Sequence, residues 1–191
     1  MSLPAQRTAM RLIHCIFGTI GHVPIDSPEF ERRIRTRYAL DIAQLEELGF
    51  RYFCSYGETF SLFRLPLLLP ALTLWGMWRD HEALTVRGTK TLAGYAVLLS
   101  HDGTTYANPN GLGIKLFTAF QDGTLVSTGN YHDPTARGPL VTRNFRAAPA
   151  SEMWAEHQGQ VRQREAEGRQ VDRRVSFDAW VRISDLETAP W

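Results

Sequence analysis

The stretch AGYAVLLSHDGTTYANPNGLGIKLFTAFQDGTLVSTGNY, Ala93 to Tyr131, decides the fold. It reads as two consecutive β-hairpins turning at Asp102-Gly103 and at Asp122-Gly123. Asp-Gly between apolar runs signals a hairpin because a type I′ turn needs positive φ at both central residues. With two-residue turns, the first hairpin sets Leu99 opposite Tyr106 and Val97 opposite Asn108, with Leu98 and Ala107 on the other side. The second sets Phe120 opposite Leu125, Thr118 opposite Ser127 and Leu116 opposite Gly129 on one face. Ala119 with Val126, Phe117 with Thr128 and Lys115 with Asn130 then share the other. Both faces are partly apolar, so helices are expected on one face and thinner cover on the other.

Upstream, Ser27 is placed to cap a helix, Pro28 suits its first position, and Gly49 suits its left-handed end. Phe30, Ile34, Tyr38, Ile42, Leu45 and Leu48 recur at steps of three or four, a stripe laid on a core. Arg32, Arg33, Arg35 and Arg37 beside it read as a solvated flank. Leu48-Gly49-Phe50 leads into a strand over Arg51 to Tyr56. Met10 to Phe17 is apolar on both parities and leaves strand or helix open.

Downstream, Asn130 to Pro139 reads as a loop and Leu140 to Phe145 as one more strand. Ser151 is read as the cap of a helix whose Met153, Trp154, His157 and Val161 share a face. Arg162 to Arg174 alternates acid and base, which suggests a solvated helix end or a mobile linker across residues 162–175. Ser176 then caps a last helix that docks through Phe177, Trp180 and Val181 or Ile183. The expectation is a single α+β domain over residues 1–191, residues 1–26 being of open structure. Its antiparallel sheet has about five strands, with helices from both ends of the chain on one face.

The chain has 191 residues, enough for one domain with a real core. Its 43% hydrophobic and 21% charged content excludes a largely disordered protein. A net charge of +1 lacks the basic footprint of nucleic-acid binding. Cys15 and Cys54 sit in apolar segments without metal-ligand spacing and read as buried thiols. The Leu12 to Ile20 run is short, holds His14 and lacks a small-residue cleavage site, so a cytoplasmic location is expected.

Leu65 to Trp78 (LPLLLPALTLWGMW) is apolar except for Thr73. Its fourteen residues fall short of the ~20 that span a bilayer, and Pro66 and Pro70 break its first turns. Three readings stand: a core filler beneath the sheet, a partner interface through Leu68, Leu72, Trp75 and Trp78, or an interfacial membrane contact. The core reading is the default, because an apolar run of this length is more often buried than lipid-facing. A second partner face is the thinner side of the sheet, around Lys115, Phe117, Thr128 and Asn130.

His101-Asp102-Gly103-Thr104 and His132-Asp133-Pro134-Thr135 repeat one pattern in two loops. A His-Asp pair can orient an imidazole as a base, so a hydrolase site from His101, Asp102, His132 and Asp133 is one reading. Turn chemistry explains both aspartates as well, and it is the more economical account. His157, on an apolar helix face, reads as a core or interface histidine. The sequence has no nucleophile elbow, phosphate loop, dinucleotide fingerprint or His-Glu-x-x-His, and no cofactor or metal site is expected.

Leu45-Glu46-Glu47-Leu48-Gly49-Phe50, Phe120-Gln121-Asp122-Gly123-Thr124 with Thr128 and Asn130, and Leu140 to Phe145 leading into Ser151, Trp154 and His157 together resemble a family of uncharacterised bacterial proteins. The resemblance implies no activity. The leading expectation is a non-enzymatic module that binds a protein or small ligand. A hydrolase and a peripheral membrane protein are the alternatives.

Overall fold

Ser27 starts the first helix as its sequence predicts: its hydroxyl accepts the Phe30 N–H at 3.4 Å, and Pro28 occupies the first turn. In the computed structural model, which describes residues 20–60, 84–86, 89–110, 113–130, 141–145 and 148–188, this helix is α1, Pro28–Arg37. A second helix, α2, follows over Ala39–Glu47. The sequence predicts one helix here, but the chain breaks step at Tyr38. Thr36 turns its hydroxyl back onto the Arg32 carbonyl at 2.9 Å, a contact that bends helices. The apolar stripe survives the break, since Phe30, Ile34, Tyr38, Ile42 and Leu45 are all buried. Gly49 ends α2 at φ +88°, with Gly49 N–H on Glu46 O and Phe50 N–H on Leu45 O, the paired bonds of a Schellman cap.

The chain divides into two compact units, Met1–Ile25 with Tyr56–Gly94 and Asp26–Ser55 with Tyr95–Trp191. In the first, β1 (Ile20–Pro24) pairs antiparallel with the end of β2 (Arg51–Phe60), from Pro24↔Tyr56 to Ile20↔Phe60. Short β3 (Leu84–Val86) pairs antiparallel with the start of β4 (Thr89–Leu99). Met10 to Phe17 and Leu65 to Trp78 lie outside the described residues.

The second unit is α+β on a largely antiparallel sheet. Its described strands run in the order β2-β4-β5-β6-β7-β8, six rather than about five. The hairpins supply β5 (Tyr106–Pro109), β6 (Ile114–Ala119) and β7 (Leu125–Gly129), and every residue of these three strands is buried. The first hairpin keeps the expected register, Leu99↔Tyr106 and Leu98↔Ala107. The second is one residue out: Ala119 faces Leu125, Thr118 faces Val126, and Leu116 faces Thr128. Phe120 N–H bonds to Thr124 O and Gly123 N–H to Phe120 O, closing a three-residue loop with Gly123 at φ +83°. That loop adds one residue to the turn and reverses the parity of β7 against β6. The return strand β8 (Val141–Phe145) pairs with β7 in parallel.

Two helices follow, α3 (Ala150–Ala166) and α4 (Phe177–Thr188). Pro149, not Ser151, stands at the start of α3, and Ser151 lies exposed in its first turn. The charged stretch after Val161 divides. It is helix to Ala166, and Gln170 to Asp172 then lie along the second hairpin turn. Gln121 N–H donates to Gln170 O, Asp172 N–H to Ala119 O, and Val171 packs on Phe120 and Val126. This strap carries the chain to α4, where Ser176 caps Ala179 N–H at 3.0 Å and Trp180 and Ile183 are buried.

Register assigns the helices to faces. Thr118 and Thr128 meet His157 of α3, whereas their neighbours Phe117 and Tyr106 meet Trp180 of α4. Adjacent residues of a strand point to opposite faces. The helices therefore cover both faces of the sheet rather than one, with α2 packed beside α3 and β5.

Candidate functional site

Buried polar side chains converge where α3 crosses β6 and β7. Thr105 and Thr118 lie opposite each other where the β5–β6 register is continued by one residue, and their hydroxyls are 2.8 Å apart. Thr118 Oγ1 is 2.9 Å from His157 Nε2, and His157 Nδ1 is 2.9 Å from Thr128 Oγ1. One hydrogen-bonded chain thus runs from the residue before β5 through β6 and α3 to β7. All four residues are buried, His157 and Thr118 at 0% exposure.

The imidazole must be neutral here. Desolvation pushes the His157 pKa down to about 3, because nothing charged compensates for removing the cation from water. A neutral ring has one N–H and one lone pair, so one threonine accepts from it and the other donates to it. Trp154 stacks on the ring, with centroids 6.0 Å apart and planes at 18°, and in turn takes Phe50 edge-on at 5.0 Å. Enclosed in this way, the neutral imidazole orders α3 against the sheet. Thr105 and Thr118 were not singled out as functional residues from sequence. Their signal is a buried hydroxyl, one inside β6 and one just before β5, and each requires a partner.

Among the described residues, the candidates His101 and Asp102 are also held in structural contacts. His101 is exposed at the tip of the β4–β5 loop, where Arg51 Nη2 donates to its Nδ1 at 3.2 Å. Asp102 turns back into the loop, accepting from Ser100 Oγ at 2.6 Å, Thr104 N–H at 3.2 Å and Thr104 Oγ1 at 2.9 Å. Partial burial works to raise its pKa, but these hydrogen bonds outweigh it and hold the carboxyl below its ordinary value. His132 and Asp133 lie outside the described residues. Cys54 is a free thiol pushed up to about 12 by burial and then by Asp26, so it is protonated at neutral pH.

Lys115, Phe117, Thr128 and Asn130 do not form one face. Lys115 and Phe117 share the α4 side, Thr128 is turned to the α3 side by the second loop, and the first three are buried. Asn130 closes the end of β7, its Oδ1 accepting Ile114 N–H at 2.8 Å. Leu68, Leu72, Trp75 and Trp78 fall outside the described residues. Among the described residues no three His, Cys, Asp or Glu side chains group to hold a metal ion, and no helix is long and apolar enough to cross a membrane. No protein-family model, curated protein or solved structure matches the chain.

Proposed function

We propose that this protein is a non-enzymatic binding or interaction module whose contact surface is the apolar run Leu65 to Trp78. The observation that carries this reading is that the sheet of the second unit already has a helix on each face. Trp180 of α4 closes one side and His157 of α3 the other, and β5 to β7 are buried throughout. That sheet makes little demand for a further apolar filler. Fourteen residues bearing Leu68, Leu72, Trp75 and Trp78 are then better spent on a partner, protein or small apolar ligand. The inward use of Asp102 and His157 and the protonated thiol of Cys54 favour binding over catalysis. A cytoplasmic setting belongs to the same reading.

The test is native mass spectrometry of the protein isolated from its own cells, wild type beside a Leu68→Asp, Leu72→Asp double variant. The wild type is expected to carry an added mass that the variant lacks, with the two near-ultraviolet circular dichroism spectra the same. Loss of the native spectrum in the variant would return the run to the core. Flotation of the wild type with liposomes, without a protein or ligand adduct, would make it a membrane contact.

A further inference from the structure

We propose that His157 is an acid-sensitive latch, holding α3 on the sheet while neutral and releasing it when protonated. The geometry that carries the proposal is the single chain Thr105–Thr118–His157–Thr128, which ties β6, β7 and the residue that leads into β5 to one helix through one ring at 0% exposure. The groups that face the imidazole from β6 and β7 are the hydroxyls of Thr118 and Thr128, and from its own helix the face of Trp154. No carboxylate contributes to its titration, whose depression comes from desolvation alone. A cation formed there is fully desolvated and meets no counter-charge among the described residues, so the ring takes a proton only in an open state where it reaches solvent.

The direction follows from linkage. With His157 lowered from 6.5 to about 3 in the folded protein, the open state binds more protons throughout that interval. The closed state is therefore fully favoured above about 6.5 and loses ground as pH falls towards 3. Opening of α3 grows about tenfold for each pH unit below about 6. Release uncovers Met153 on the helix, the covered part of half-buried Trp154, and Thr118 and Thr128 on β6 and β7, an apolar and hydroxyl-lined surface largely covered at neutral pH. The three aspartates with lowered pKa, Asp102, Asp122 and Asp172, lose stabilising charge only from about pH 5 downward, so the interval between about pH 6 and 5 isolates His157. Asp41, raised by burial, has the opposite sign.

Backbone amide exchange of the full chain between pH 7 and 4.5, corrected for intrinsic rates, measures the opening directly. In the wild type the α3 amides should lose protection by roughly tenfold per pH unit below about 6, while the α4 amides stay flat. In His157→Gln, which keeps one donor and one acceptor but takes no proton, the α3 slope should vanish. A flat α3 profile in the wild type overturns the latch. Equal slopes in α3 and α4 overturn it too, because the whole unit then opens together. Should His157→Gln fail to fold, the wild-type His157 ring resonance decides: it must stay untitrated in the closed state to pH 4.5, and a midpoint near 6.5 refutes the proposal.

Discussion

The helices α3 and α4 lie against opposite faces of one strand, and neighbouring residues of β6 hold them by different physics. Thr118 reaches α3 through a directed hydrogen bond to His157. Phe117 reaches α4 through an edge contact with Trp180, centroids 5.5 Å apart at 69°, and Tyr106 adds a second ring at 5.8 Å. Directed bonds have one good geometry, and a buried polar group without its partner is expensive. Aromatic packing has several acceptable geometries and its strength follows area. The α3 face should therefore specify position, and the α4 face should supply most of the stability.

Truncating Trp180 tests the stronger side of the contrast. Trp180→Ala removes a side chain that is 2% exposed and should cost about 3–5 kcal/mol in denaturant unfolding. Trp180→Phe keeps ring contact with Phe117 and Tyr106, and we expect less than half that loss. If Phe were as damaging as Ala, the α4 face would be as shape-specific as the α3 face, and the contrast would fail.

The next effect is smaller and of another kind. Thr118→Val keeps the shape of the side chain but strips the partner from His157 Nε2 and from Thr105 Oγ1. An expected loss of about 1–3 kcal/mol reflects those two orphaned groups, and Thr118→Ser should restore most of it. Equilibrium unfolding of the three forms at pH 7 gives the answer. A neutral Thr118→Val would mean that the chain of hydroxyls adds nothing to α3 docking.

Parts of this arrangement were legible in the sequence. The apolar stripe from Phe30 to Leu45, the Ser27 cap, the Gly49 stop and the docking role of Trp180 follow from helical spacing and capping chemistry, which are local. His157 was legible as a core residue because it shares a face with Met153. The division of the faces was not legible, and one residue explains why. Asp102-Gly103 and Asp122-Gly123 look alike, and in both Asp takes the N–H of the following Thr. Yet Ser100 N–H closes onto Thr105 O in the first hairpin, and Phe120 N–H onto Thr124 O in the second. The first loop preserves the parity of a two-residue turn and the second reverses it, so Thr128 joins Thr118 on the α3 side. No dipeptide encodes that choice. The strap was equally hidden: of Gln170 to Asp172 only Val171 is buried, and backbone hydrogen bonds without a sequence pattern hold the rest.

The smallest predicted effect concerns that strap, the connection between the two helices. Arg169 donates to Asp122 Oδ2 at 2.7 Å and to Thr124 Oγ1 at 3.1 Å. The Asp122 carboxyl lies below its ordinary pKa through its bonds from the Thr124 hydroxyl and N–H, with Arg169 adding to them. Arg169 and Asp122 are 31% and 45% exposed, so water and salt screen the pair. Arg169→Ala should therefore lower Tm by no more than roughly 4 °C, and 1 M salt should shrink the difference further. The reason is that α4 has its own dock in Trp180 and Ile183, and the strap keeps Val171 and two backbone hydrogen bonds without the arginine. A loss as large as that of Trp180→Ala would reverse the picture. The aromatic face would then depend on the connection for its position, and both helices would be placed by directed bonds, one from a buried imidazole and one from a surface guanidinium.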